Sequence, residues 1–418
     1  MSLSNSGHGI LAQWERAAMA GMTATVTPEL LIADASARSQ SAIRHRLQSI
    51  DALRGFVMVV MLLDHVRENW FLHWQVSDPV DAMTVDPGLF FTRLTSTICA
   101  PVFVFLTGTG AYLYSVNHSR KDTVLYLVKR GLFLMVLDVT LMTLAWTTKW
   151  PPTIWLQVIW CIGVAMIALA VLMYLPRGAL VALGLAIVCG HNLLDGIRLS
   201  PDDAFYVPWA MLHQRDLIAL PFGAVARTSY PVLAWIGVIA LGFCVGPWFD
   251  RQIDAAGRQR RLILIGITML VAFILLRALN GYGDKPWVHT GDTLRTVMSF
   301  LALTKYPPSL LFLLATLGLG AILLALFERS EHSKWIQVLA VFGAAPLFFY
   351  VFHIYALRAL YHGAYLIWGP NHGAVYGVDS LGWVWVWYLA LLVPLYYPTA
   401  WFARLKARRR DLAWLRYL

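Results

Sequence analysis

Ile50-Asp51-Ala52-Leu53-Arg54-Gly55-Phe56-Val57-Met58-Val59-Val60-Met61-Leu62-Leu63-Asp64-His65-Val66-Arg67 is the stretch from which the rest of the chain can be read. It opens polar, becomes an apolar helix, and then sets an acid, an imidazole and a guanidinium within four positions. Asp51 and Arg54 are three apart, so they share a helix face and can pair. Arg54 and His65 are eleven apart, which is about 16 Å of helical rise and about half of a hydrocarbon core. With Arg54 at one membrane face, Asp64 and His65 lie inside the bilayer or in its far leaflet. Ionisable groups there are expensive and mark function by default. The plain alternative is a salt-bridged helix end just past the membrane.

Composition supports a membrane reading. Of 418 residues, 59% are hydrophobic and 13% charged, against about 25% charged in a soluble domain. This predicts an integral membrane protein in contact with a lipid bilayer. The 18 Trp and 17 Tyr suit interfacial belts. A net charge of +10 invites nucleic acid as a partner, but the charges sit in short loops between apolar runs, which positive-inside topology explains better. Cys99, Cys161, Cys189 and Cys244 all fall in apolar stretches without metal-ligand spacing or a disulfide framework. They read as packing residues, and the sequence yields no metal ligand set.

Taken in order, the chain predicts a disordered cytoplasmic tail over 1–45, a transmembrane domain over 46–403 and a basic cytoplasmic tail over 404–418. The fold class is all-α, a polytopic helical bundle. Ten spans are expected, at 53–71, 94–116, 124–146, 153–175, 178–194, 230–249, 261–279, 308–327, 337–360 and 381–403, each near the ~20 residues a crossing needs. Arg120, Lys121, Lys129, Arg130, Arg177, Arg251, Arg258, Arg260, Arg261, Arg329, Lys334 and the Arg404–Arg410 cluster then share the side of the N-terminus. That places both termini in the cytoplasm and the loops 72–93, 195–229 and 280–307 outside. Gly108 with Gly110, and Gly318 with Gly320, suggest local close approach of helices.

Polar groups inside the expected spans are the candidates for chemistry: Asp64, His65, Asp138, His191, Asn192, Arg277, Asn280, His353 and Arg358. Counted from residue 337, His353 is about 24 Å along its span, a depth comparable with that of His65. Several polar side chains thus converge in the outer half of the bilayer, with His73, His213, Arg215, Lys305 and Tyr306 able to cap them from the loops. Each has a structural alternative. Asp138 can pair with an arginine in the bundle, His353 can pack among aromatics, and Lys305-Tyr306-Pro307-Pro308 reads first as a turn. Asp64 does not face His65, because adjacent helix residues diverge.

The sequence also resembles a known family. Asp51-Ala52-Leu53-Arg54-Gly55, Pro101-Val102-Phe103-Val104-Phe105-Leu106-Thr107-Gly108, Tyr230-Pro231-Val232-Leu233-Ala234-Trp235-Ile236-Gly237, Thr304-Lys305-Tyr306-Pro307-Pro308-Ser309 and Pro346-Leu347-Phe348-Phe349-Tyr350-Val351-Phe352-His353 occur in this order between about residues 46 and 400. Together they resemble the heparan-α-glucosaminide N-acetyltransferase catalytic domain and its bacterial multi-pass relatives. The resemblance implies a transmembrane acetyltransferase in a bacterial inner membrane, with acetyl-CoA as acyl donor and a sugar amine or hydroxyl as acceptor. It implies a catalytic histidine in the loop after the first span, behind an aromatic cluster. Trp70-Phe71-Leu72-His73-Trp74 matches that pattern at a shorter interval from Arg54.

His65 stands where the eukaryotic enzyme has an asparagine, eleven positions after the motif arginine. The imidazole role therefore falls to His73 by resemblance and to His65 by depth, acting as base or nucleophile. Asp64 and His353 complete the catalytic candidates. Arg54, Lys129 and Arg130, at the cytoplasmic edge, are the candidates for the anionic end of the donor. A proton-coupled permease would use intramembrane Asp and His residues equally well, and an inactive assembly role is a third reading. The sequence leaves the oligomeric state open, a homo-oligomer included.

Overall fold

The computed structural model describes residues 28–74, 76–147, 151–250, 252–409, 411–412 and 415, with side chains from residue 48 onward. The chain is mostly helical. Helix α1 (Pro28–Trp70) carries the opening stretch. The expected tail is thus helical from residue 28, and residues 1–27 lie outside the described residues. There follow α2 (Pro87–Thr95), α3 (Cys99–Ser115), α4 (Arg120–Leu137), a π turn (Asp138–Met142), α5 (Thr143–Trp146), β1 (Thr153–Leu156), α6 (Val158–Leu172) and α7 (Arg177–Gly190). A 3-10 turn (His191–Leu194) leads to α8 (Tyr206–Leu212), β2 (Leu217–Ala219), β3 (Val225–Thr228), α9 (Leu233–Val245) and α10 (Ala255–Leu279). The chain closes with α11 (Thr293–Leu301), α12 (Leu310–Arg329), α13 (Lys334–Ala344), α14 (Pro346–Trp368) and α15 (Leu381–Arg408). Helix α15 thereby runs five residues past the expected end of the last span.

Among the described residues, five helical segments are long and apolar enough to cross a membrane: Pro87–Ser115, Arg177–Leu194, Ala255–Leu279, Leu310–Arg329 and Leu381–Arg408. The pair α13–α14 makes a sixth if counted as one broken span. This is fewer than the ten expected, for local reasons. The 53–71 segment is helical but carries Arg54, Asp64, Arg67 and Glu68. The 124–146 segment is interrupted by the π turn. The 153–175 segment begins as a strand, so only Val158–Leu172 of it is helix, and Leu233–Phe249 is also short. The 337–360 segment bends by 81°. Pro346 disfavours helical geometry at the residue before it, and Ala345 sits at φ −133°, ψ 56°. On α10, Leu264, Ile267, Val271, Ile274 and Leu275 are exposed, so an apolar face is turned outward where lipid would meet it.

Close packing comes from glycines. A Cβ on Gly55 would lie 1.7 Å from the carbonyl oxygen of Leu339, and one on Gly343 would lie 1.7 Å from that of Asp51. Helices α1 and α13 therefore cross backbone to backbone. Helices α3 and α9 do the same, with a Cβ on Gly108 falling 2.1 Å from the Ile239 oxygen and one on Gly242 falling 2.1 Å from the Phe105 oxygen. Thr109 Oγ1 donates to the Gly242 carbonyl at 3.0 Å across that crossing. Such small-residue contacts suit helix association where no hydrophobic drive separates helix from lipid.

The expected outer loop 195–229 is not wholly irregular. β3 pairs in parallel with β1 and antiparallel with β2, giving the order β1-β3-β2.

Candidate active site

The sheet, α1, α2 and the segment before α12 enclose a cavity of about 550 Å³. All five family-like motifs reach it or begin on an element that does. The helix of the first supplies Asp64 and His65, the second Phe103, the third Tyr230, the fourth Lys305 and Tyr306, and the fifth Tyr350. His353, one turn beyond Tyr350 on α14, is fully buried behind the wall.

The histidine pair has a defined tautomer. His353 Nδ1 lies 2.6 Å from the carbonyl oxygen of Phe349, and a carbonyl only accepts, so this nitrogen carries the hydrogen. His353 Nε2 is then an acceptor, and His65 Nδ1, 2.7 Å away, donates to it. His65 Nε2 is left with its lone pair free, on a residue that lines the cavity. Trp146 and Tyr350 meet the His65 ring edge to face at 6.0 and 5.9 Å. The bend at Ala345 puts His353 in the second turn of α14 rather than deep in one continuous span, yet the two imidazoles still meet as their similar depths suggested.

Asp64 is held by two guanidiniums. Arg67 Nε and Nη2 donate to its Oδ1 at 3.0 and 2.9 Å, and Arg93 from α2 pairs with its Oδ2. It does not bond His65, as the i, i+1 geometry requires. Arg93 had no signal in the sequence beyond its charge, since it reaches Asp64 from a separate short helix. Arg215, Arg227 and Lys305 add positive charge to the wall, so five basic side chains (with Arg67 and Arg93) face the carboxyls of Asp64, Glu68 and Asp78. Lys305 is 7% exposed, with Nζ 5.2 Å from the Tyr306 ring centroid. Lys305-Tyr306-Pro307-Pro308 is a turn, as expected, pinned by Asp78 accepting from the backbone nitrogens of Lys305 (3.2 Å) and Tyr306 (2.9 Å). It also delivers two side chains to the cavity.

His73 lies elsewhere. Its ring stacks on His372 at 3.7 Å and is not part of the cavity wall. Burial, with the His372 ring beside it, holds its imidazole below the usual histidine range. The structure thus brings His65, Asp64 and His353 together and leaves His73 apart.

Among the described residues Asp138 is paired with no arginine. Its Oδ2 accepts from the backbone nitrogens of Gln157 (2.9 Å) and Trp160 (3.3 Å), capping the start of α6. Asp138→Ala is expected to lower stability by about 0.5–2 kcal/mol, the range for losing a helix cap, and thermal unfolding in detergent would measure it. A drop in donor binding without a drop in Tm would contradict this structural role. Arg277 likewise serves structure, donating to the carbonyls of Ser299, Phe300 and Ala302 at the end of α11 and to that of Lys285.

About three turns before His65 on α1, Arg54 Nη1 donates to Asp51 Oδ1 at 2.8 Å. Lys406, from α15, lies within electrostatic reach of that pair and of Arg130, from α4. Arg130 Nη1 donates to Tyr126 Oη at 2.5 Å, while its Nε is buried without a partner. Lys129 is exposed. Lys406 had been read only as part of a basic tail.

The fold and the cavity together define a helical membrane protein whose polar chemistry is gathered around a buried imidazole pair. Over residues 46–277 the chain matches the family model described as heparan-alpha-glucosaminide N-acetyltransferase, catalytic, and it belongs to that family of membrane acyltransferases. The match includes both ends of the α1 site. The Lys305 and His353 motifs lie beyond it but contribute to the same cavity and its wall. Comparison with curated proteins gave no match.

Proposed function

We propose that the protein moves an acetyl group from acetyl-CoA, entering from the cytoplasm, to an amino or hydroxyl group of a sugar presented at the outer face of a bacterial inner membrane. The observation that carries this reading is the free lone pair of His65 Nε2 in the cavity, set by the chain from the Phe349 carbonyl through His353. His65 Nε2 accepts the proton of the acceptor N–H or O–H as that atom attacks the acyl carbon. Lys305 and Arg93 flank the space where negative charge gathers on the acyl oxygen and stabilise it there. His65 then returns its proton to the departing thiolate, and the pair is restored. His353 positions His65 and takes no proton itself.

The donor's anionic end fits the part of α1 about three turns before His65, where Arg54 and Lys406 face the carboxyl of Asp51 and Arg130 lies near Lys406. The unpartnered Nε of Arg130 leaves a donor for a phosphate oxygen. Ten crossings with both termini inside would put that end in the cytoplasm and the His65 cavity toward the outer face. Family membership favours a transferase over a permease.

The test is purified protein with radiolabelled acetyl-CoA and a panel of amino sugars. Labelled sugar is expected, together with a measurable CoA affinity. Arg54→Ala should weaken CoA binding with the fold intact, since the Asp51–Arg54 pair itself contributes only about 0.2–0.5 kcal/mol on a helix surface. Unchanged CoA affinity in this variant removes Arg54 from the donor site. An absence of any CoA binding by the wild type removes the transferase reading.

A further inference from the structure

Away from the cavity, two histidines and an aspartate converge where α7 ends and α8 ends. His191 opens the 3-10 turn after α7, Asp195 follows that turn, and His213 ends α8. One ligand atom from each lies within 4.8 Å of the others. His191 is 2% exposed, and among the described residues neither of its ring nitrogens has a hydrogen-bond partner. A neutral imidazole carries one donor and one acceptor, so both functions of this ring are buried and unmet. His213 is 4% exposed and makes one side-chain hydrogen bond, between Nε2 and Asp195 Oδ1 at 3.0 Å. That bond leaves its Nδ1 buried without a partner.

The frame around these groups is fixed. Asn192 Nδ2 donates to Asp195 Oδ2 at 2.9 Å, and Asn192 Oδ1 accepts from the Leu310 backbone at 2.9 Å, tying the turn to the start of α12. The Asp195 side chain is 47% exposed, which leaves a solvent path to the two buried rings. Two imidazole nitrogens and one carboxylate oxygen form the N/O donor set that suits zinc and its neighbours, with water completing four-coordination. Tetrahedral ligand atoms around zinc sit about 3.4 Å apart, given bonds of 2.0–2.1 Å. Bringing ligand atoms in from at most 4.8 Å to that spacing takes up to about 1.4 Å, within reach of side-chain rotation.

We propose that His191, Asp195 and His213 bind a divalent transition-metal ion of the zinc class, which clamps the start of the 195–229 segment to the end of α7. Arg215, two residues beyond His213, lines the acyl-transfer cavity, so the ion holds part of that wall in place. The proposal does not depend on the acyl-transfer reading. The cysteine spacings gave no hint of it, because the ligands are histidines and an acid, two of them at the two ends of one short turn and the third just after another helix.

The experiment uses the full chain in detergent, freed of any affinity tag, stripped with a chelator and titrated with zinc. Stoichiometric zinc by elemental analysis after desalting is expected, with a rise in Tm that magnesium does not give. Cobalt(II) in place of zinc should show the intense visible bands of a four-coordinate N/O site. His191→Ala should abolish binding. Asp195→Asn keeps the size and much of the hydrogen bonding of a half-exposed residue, so it folds even if His191→Ala does not. It should weaken zinc by at least about 10–100-fold, as loss of an orienting or ligating carboxylate does. Zinc at the level of the buffer blank in the wild type, with no change in Tm, would overturn the site. So would zinc bound by Asp195→Asn as tightly as by the wild type.

Discussion

Replacing His65 by alanine is expected to slow acetyl transfer by about 10²–10⁴-fold, the usual cost of removing a general base, while CoA affinity stays at the wild-type level. The two effects separate because the imidazole and the basic cluster lie about three turns apart on α1. Arg54 and His65 are eleven positions apart, about 16 Å of rise. His353→Ala should cost less. It removes the acceptor that fixes the tautomer of His65, so only part of the population presents a bare Nε2, and the pH–rate profile should shift while KM for the donor holds. His73→Ala is the discriminating control. Its ring stacks on His372 outside the cavity, so transfer should continue close to the wild-type rate. Loss of transfer in His73→Ala with full activity in His65→Ala would return the chemistry to the loop histidine and sink the assignment.

That contrast also shows where the sequence could be read and where it could not. The meeting of His65 and His353 was legible because each sits in an apolar helix at a depth where an imidazole is costly. Counting helical rise was enough to suggest a common layer, even though the break at Pro346 made the count for His353 wrong in detail. The break itself was written in Ala345-Pro346, since proline constrains its predecessor, but an apolar run on both sides hid it.

Other parts of the site depend on contacts between distant segments and had no local trace. Arg93 pairs with Asp64 across a turn and a separate helix. His73 meets His372 from nearly 300 residues away. Lys406 joins Arg54 and Arg130 only because α15 continues past its expected end. The three short strands lie among apolar and turn residues without a run long enough to alternate, so residues 153–156 read as the start of a span. Asp138 was recognised as an expensive buried acid, but its partners are backbone nitrogens, which no side-chain pattern announces.

Gly55→Ala is expected to have the largest effect on stability, and the reason bears on catalysis. The added Cβ would fall 1.7 Å from the Leu339 carbonyl oxygen, an atom of the helix backbone that no side-chain rotation can move. Helices α1 and α13 must separate. Overpacking costs about 1–3 kcal/mol and occasionally more, and with backbone on both sides the upper end applies. Gly343→Ala should act alike, because it opposes the Asp51 carbonyl at the same crossing. The double variant should cost less than the two singles added, since helices already parted by one methyl have room for the other. Gly363→Ala is the control. No atom lies within 4 Å of its added Cβ, and replacing a helical glycine there should be neutral or stabilising by about 0.5–1 kcal/mol.

The same crossing sets the distance between His65 and His353. Helix α1 carries His65, α13 turns through 81° into α14, and α14 brings His353 back to within 2.7 Å of His65. Parting α1 from α13 should therefore lower acetyl transfer even in the fraction that stays folded, through loss of the His65–His353 bond. Thermal unfolding of the four variants in one detergent, with transfer rates measured below the lowest Tm, tests both parts. A Gly55→Ala protein as stable as Gly363→Ala would mean that the two backbones do not touch, and the motif glycine would need another explanation.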